Sequence, residues 1–358
     1  MKGKYRIIFT HKFSVYVFRN LQKSEIVLIN KNEWRGKEMA NNNTTAVSVN
    51  RCKTAKEVTR AAHIRQIKQD KYVYLMLLPA VLITLVFNYV PMYGLIMAFQ
   101  DFDIFDGFLG SEFVGLKNFE KIFTQPKFTT AIWNTLVTSF FDILINFPAP
   151  IILALLLNEL RVGIFKKTVQ TISYLPHFLS WISVVGIVNL VFGHDGLVND
   201  IRMMLGANER ITYLAQQNLF LSFILGSTLW KEVGWGTVIH LANLASINPD
   251  LYEAASIDGA TRLQKIRYIT LPHMLPTVMT LLIFKMGRVF SSNFELVWGL
   301  QNPYIDFDVI STIVYETGIQ NGNYSMATAM GLMEGLVALT LVLITNRISK
   351  KVSGSGIL

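Results

Sequence analysis

The chain has 358 residues, of which 51% are hydrophobic and only 16% charged, and its formal net charge is +9. Water-soluble domains carry about 25% charged residues, so this composition, with a mean hydropathy of +0.37, excludes a free-standing soluble protein. A single cysteine, Cys52, excludes an intrachain disulfide, and nothing suggests a Cys-based metal site.

The positive charge is concentrated at the start. Residues 1–71 hold 16 Lys/Arg against 5 Asp/Glu, whereas the remainder holds 17 against 19. A basic leader suits nucleic acid, an anionic leaflet or a cytoplasmic tail. Beside apolar spans it reads as a cytoplasmic segment, with membrane lipid rather than nucleic acid as its neighbour. Within it, residues 1–38 mix short apolar runs with nine basic residues, and Met39 opens onto the polar run Ala40–Thr45. The stretch 1–38 reads as a poorly ordered extension, or as sequence upstream of an initiator at Met39. Its apolar runs, Ser14–Phe18 and Ile26–Ile29, are too short for a secretory signal.

Six apolar stretches follow that are long enough to cross a bilayer, which takes about 20 residues at 1.5 Å each. They are Tyr72–Phe99, Ala131–Asn158, Thr168–Phe192, Asn218–Ala245, Pro276–Trp298 and Met326–Thr345. They define an all-α integral membrane domain over 72–350, with a short tail at 351–358. Prolines 79, 91, 148 and 176 fall inside spans, where neighbouring helices re-satisfy the freed backbone groups. Lys and Arg bias sets the orientation. Segments 51–71, 161–167, 246–272 and 347–358 hold 7, 3, 3 and 3 basic residues, against 3, 2 and 0 in 100–130, 194–216 and 299–325. Both termini are therefore expected in the cytoplasm of a multi-pass cell-membrane protein. In the first outer loop, Asn118–Phe123 reads as a short amphipathic helix that either packs on the bundle or meets an external partner.

The loop 246–272, between the fourth and fifth spans, is the most informative segment. Asn248 before Pro249 is an N-cap with proline at the first helical position. A short helix then runs to Gly259, the residue suited to a left-handed C-terminal turn. Thr261 and Gln264 form a capping-box pattern for a second helix, with Pro272 as its stop. Ala254, Ala255 and Gly259 keep this turn slim enough for a partner's groove, and Glu253 supplies one orienting charge.

The run Glu253-Ala254-Ala255, three residues (closing on Asp258), Gly259, nine residues, then Ile269-Thr270-Leu271-Pro272 resembles the EAA signature of binding-protein-dependent ABC importer permeases. Leu175–Trp181 and Leu229–Gly236 look like the carbohydrate-uptake branch, and more narrowly like LplB-type permeases for oligosaccharides and polysaccharide fragments such as aldouronates or pectin-derived sugars. The resemblance covers about residues 72–350. It implies the six-helix type I importer fold, working as a heterodimer with a second permease. Two cytoplasmic ABC ATPases and an extracellular solute-binding lipoprotein would complete the assembly. It also implies that Glu253, Ala254, Ala255, Asp258, Gly259, Ile269, Leu271 and Pro272 form the loop that docks in an ATPase groove. The chain carries no G-x-x-x-x-G-K-[ST] phosphate loop. ATP and Mg would thus belong to the partner ATPase, and no cofactor is expected on this chain.

Ionisable residues inside spans are functional candidates. Asp142, Lys231, Glu232, Lys285, Arg288 and Glu334 qualify, three of each sign. Lys285 and Arg288 share a face by i, i+3 spacing. They read either as an internal ion-pair network or, with Trp230, Trp235 and Trp298, as a polar path meeting sugar hydroxyls or a uronate. The rival class is an ion-coupled secondary transporter using the same carboxylates. It would need an internal repeat, and the sequence contains no evident one. No catalytic constellation stands out, so the chain reads as a transport subunit and not an enzyme.

Overall fold

The computed structural model describes residues 70–160, 163–290, 293–354 and 356–357. The leader up to residue 69, with Met39 and Cys52, lies outside the described residues. The chain divides into two compact units, one ending at Val81 and one beginning at Leu82. The described part of the first is the opening of the helix Lys71–Thr84, which buries no side chain.

Among the described residues, five helices are long and apolar enough to cross a membrane: Lys71–Phe99, Pro126–Glu159, Trp181–Met204, Arg262–Gly287 and Tyr324–Ser353. The expected span at 218–245 is helical throughout, as Gln217–Ala245. It is not one of those five, because Lys231, Glu232, His240 and several amides and glycines dilute its hydropathy. The last helix continues to Ser353, past the expected boundary at 350. Among the described residues, strand structure is confined to one antiparallel pair, Gln100–Asp101 with Glu112–Phe113. The short outer helix forms as Lys117–Phe123 and packs on the protein. Ile122 is fully buried, and the Asn118 amide donates to the carbonyls of Ala98 and Gln100 at 3.1 and 2.9 Å.

Lipid tails are as apolar as leucine, so helices in a bilayer associate through close packing and polar contacts more than through the hydrophobic effect. Gly234 illustrates the requirement: a Cβ there would run into the carbonyl of Ser173 on the neighbouring helix. Among the described residues three buried clusters result. One gathers Phe128, Ala131, Phe290, Ile313 and Met330, a second Val184, Phe220, Ile224 and Leu296, and a third Ala154, Leu244, Ile247 and Met274.

Two of the expected spans are not continuous. Thr168–Phe192 is interrupted: the helix Ile164–Tyr174 passes into a tight turn at Leu175–Phe178 and extended backbone at Leu179–Ser180. Helix resumes as Trp181–Phe192, with the Ser180 hydroxyl accepting from the Ser183 amide. Pro176 supplies no N–H to the ladder, and the Lys231 ammonium takes the carbonyl of His177 at 2.7 Å. Pro276–Trp298 is interrupted as well. Its helix ends at Gly287 and restarts at Phe294.

Pro272 does not end a helix, contrary to the sequence expectation. Helix runs from Arg262 to Gly287 because Ile266–Thr270 widens into a π turn, with the Leu271 amide bonding to the Ile266 carbonyl. The wider turn removes the clash that proline makes with the carbonyl four residues back. The same device precedes Pro91, where Val90 bonds to Leu85, and Pro148, where Phe147 bonds to Asp142 at 3.1 Å.

Candidate functional site

The loop 246–272 folds from local contacts. Asn248 caps the helix Pro249–Ile257, its side chain accepting from the Asp250 amide at 3.1 Å. Gly259 adopts φ +77°, closed to most side-chain-bearing residues. Its amide donates to Ser256 and that of Ala260 donates to Ala255, at 3.2 and 2.9 Å. That pair of bonds is a Schellman motif. The capping box follows: the Thr261 amide donates to the Gln264 side chain, and the Gln264 amide to the Thr261 hydroxyl. Tyr252 and Thr270 share a hydroxyl hydrogen bond of 2.9 Å, fastening the short helix to the base of the long one.

Between the two helices lies a cleft of about 330 Å³, with Ala255, Asp258, Gly259 and Ile269 on its wall. Glu253, Ala254, Asp258, Gly259, Leu271 and Pro272 are exposed, and Ala255 and Ile269 are half-buried. Sequence reasoning missed the apolar residues that crown this turn. Leu251, Ile257, Leu263 and Tyr268 are all exposed. Their signal was present: large apolar side chains in a segment otherwise polar enough for water.

A second feature is a polar cavity of about 630 Å³. Both helix interruptions border it: His177 and Trp181 from the first, Arg288, Asn293 and Glu295 from the second. Glu232 and Lys285 also line it. Lys285 forms an ion pair with Asp142, a carboxylate only 3% exposed that also accepts from Asn146 at 2.9 Å. Lys231 sits 3.4 Å from Glu232 and 5.1 Å above the Trp181 ring. Glu232 holds the His177 ring at 2.9 Å, and that ring stacks on Trp235 with centroids 4.6 Å apart.

Four of the six intramembrane charges are thus paired inside the protein. Arg288 and Glu334 form no ion pair among the described residues. Glu334 and Trp230 do not join the cavity. Glu334 belongs to the helix Tyr324–Ser353, and Trp230 lines a separate apolar pocket with Val188 and Phe223. Trp298 packs instead against Phe294 and Tyr315. Sequence reasoning missed His177, Trp181, Asn293 and Glu295. The two former lie in Leu175–Trp181, and Glu295 was an uncounted charge inside an expected span.

Residues 131–353 match the family described as binding-protein-dependent transport system inner membrane component. YteP of Bacillus subtilis (strain 168), a polygalacturonan/rhamnogalacturonan transport system permease protein, is 43% identical over 292 residues, covering 81% of this chain and 91% of that protein. LplB of the same organism is 41% identical over 294 residues, covering 81% and 92%. Among solved structures, a chain of a bacterial alginate ABC transporter in complex with an alginate pentasaccharide-bound periplasmic protein aligns with a TM-score of 0.75 at 39% identity. It covers 82% of this chain and 99% of that one. The loop and the cavity both lie within the matched region, and the chain belongs to the family of inner membrane components of binding-protein-dependent transport systems.

Proposed function

We propose that this chain is one of two permease subunits of an ATP-binding-cassette importer for oligosaccharides or polysaccharide fragments, those of acidic sugars above all. The observation that carries the reading is the exposed Gly259 turn between two capped helices, built on the EAA spacing and crowned by apolar side chains. Such a knob fits a groove on a cytoplasmic ATPase. Glu253, Ala254, Ala255, Asp258 and Gly259 would form the docking face, while Ile269, Leu271 and Pro272 root it in the span. ATP and Mg would be held by two ATPase subunits, and a solute-binding lipoprotein would deliver the sugar from outside.

The helix Gln217–Ala245 serves as the sixth span, its charges facing protein instead of lipid, and both termini lie in the cytoplasm as the Lys/Arg bias directs. Acidic sugar is favoured by the relatives: one is named for polygalacturonan and rhamnogalacturonan, and a second similar structure is titled for import of the acidic polysaccharide alginate. Glu232, Lys285 and Arg288 would line the path, with Lys231 supporting the wall behind them. In an alternating-access cycle the ATPases close on ATP, the loops move with them, and the cavity opens outward.

Affinity purification of the tagged chain from native membranes tests the reading, for wild type and for Gly259→Pro. Proline cannot take φ +77° and removes the amide bond to Ser256. Wild type should bring down an ABC ATPase and a second permease, and the variant should keep the permease and lose the ATPase. Recovery of the chain alone in both, with sugar uptake intact in vesicles free of ATPase, would overturn it.

A further inference from the structure

We infer that Arg288, and not its neighbour Lys285, is the residue that selects an acidic sugar, taking one uronate carboxylate at the break between the helices Leu271–Gly287 and Phe294–Leu300. The inference rests on the sugar-importer reading above. The two other cations in and beside the cavity are already committed. Lys285 holds Asp142; turning toward a substrate would leave that buried carboxylate without its counter-charge, a loss that a new surface contact does not offset. Lys231 is committed twice, to the His177 carbonyl and to Glu232, and is itself only 5% exposed. Among the described residues Arg288 has no such commitment. Its side chain is exposed and lines the cavity.

The backbone beside Arg288 is held firmly. Val289 and Phe290 are buried in the first core cluster, and the Val289 carbonyl accepts from the Ser139 hydroxyl at 2.9 Å. On the far side of the break Asn293 stands at φ 71°, the one positive-φ position among the described non-glycine residues. Its side-chain oxygen lies 3.4 Å from the Thr228 hydroxyl. Backbone strain of this kind persists where surrounding structure imposes it. An anchored backbone bearing a free guanidinium is a preorganised receptor, and the planar fork of arginine matches a carboxylate through two parallel hydrogen bonds.

Glu295 lines the same cavity and sharpens the choice. It accepts from sugar hydroxyls but repels anions, so a small inorganic anion meets repulsion without compensating hydrogen bonds. A uronate offers both groups at once. The rings of His177 and Trp181 line the cavity, His177 backed on one face by Trp235, and supply flat surface for the sugar face.

The test is equilibrium binding of trigalacturonate and of its trimethyl ester to the assembled importer in nanodiscs. The solute-binding protein is left out so that its own selectivity does not enter, and quenching of intrinsic tryptophan fluorescence reads occupancy, since Trp181 lines the cavity. Wild type should bind the acid about tenfold more tightly than the neutral ester, the scale of one charge-assisted bidentate contact. Arg288→Gln should abolish that ratio while ester affinity holds, and Arg288→Lys should restore part of it. Asp142→Asn combined with Lys285→Gln removes the neighbouring pair without stranding a charge, and it should preserve the ratio whatever it does to either affinity. A ratio unchanged in Arg288→Gln, or lost in the double variant, would overturn the assignment to Arg288 alone. Wild type that binds neither probe would overturn the acidic-sugar reading together with it.

Discussion

Asp142 and Lys285 differ sharply in exposure, with side chains 4% and 31% accessible, and that difference fixes what each does when its partner is removed. Asp142→Asn leaves an ammonium that can turn into the open cavity. Lys285→Gln leaves a carboxylate with no route to water, and breaking a buried pair from that side costs about 3–5 kcal/mol. Lys285→Gln should therefore lower detergent-solubilised yield and thermal stability far more than Asp142→Asn, and the double variant should recover most of the loss. Equal effects of the two single changes, measured by fluorescence-detected size exclusion after a heating series, would refute this asymmetry. The six charges were visible as a set in the sequence. Their partners were not, since Asp142 and Lys285 meet across 143 positions of chain and only the packed bundle brings them together. Glu295 escaped for a different reason: the apolar run around it, Leu296–Leu300, hid one carboxylate.

Helix interruptions mark the limit of hydropathy as a guide to elements. A window of about 20 residues averages over a break of six, so 168–192 and 276–298 each look like one span. Finer signals existed in Pro176 and in the polar run Ser291-Ser292-Asn293. The loop 246–272 was legible almost residue by residue, because caps, a capping box and a glycine turn are made between residues at most five positions apart. Pro272 was misread because proline ends a helix only when the preceding turn cannot widen. In Pro272→Ala the amide returns and the ladder can close on the residue four back, drawing Arg262–Lys265 around the axis by about 100°. Membrane yield should hold while sugar uptake per ATP hydrolysed falls severalfold in proteoliposomes. Unchanged coupling would mean that the π turn serves proline alone.

For the whole molecule, the all-α membrane architecture followed from composition and six apolar stretches, and the described helices occupy those stretches despite the breaks. The helix Gln217–Ala245, the expected span that is not among the five apolar enough to cross, carries Glu232 in the cavity wall with Lys231 paired beside it. Topology can be read directly because the chain has one cysteine to remove. In a Cys52→Ser background, Thr212→Cys should react with an impermeant maleimide on intact protoplasts. Asp258→Cys and Lys350→Cys should react only after permeabilisation. Labelling of residue 258 from outside would reverse the orientation. The helix Arg262–Gly287, 26 residues in one piece and about 39 Å long, has the glycine turn just before one end and Arg288 just past the other. On the proposed importer reading it would act as a single lever, its two ends moving together. By thermodynamic reciprocity, whatever factor a nucleotide-driven tilt applies to sugar affinity at the far end, bound sugar returns to nucleotide affinity at the near one. A loaded cavity would then announce itself to the motor through the rod that the motor moves.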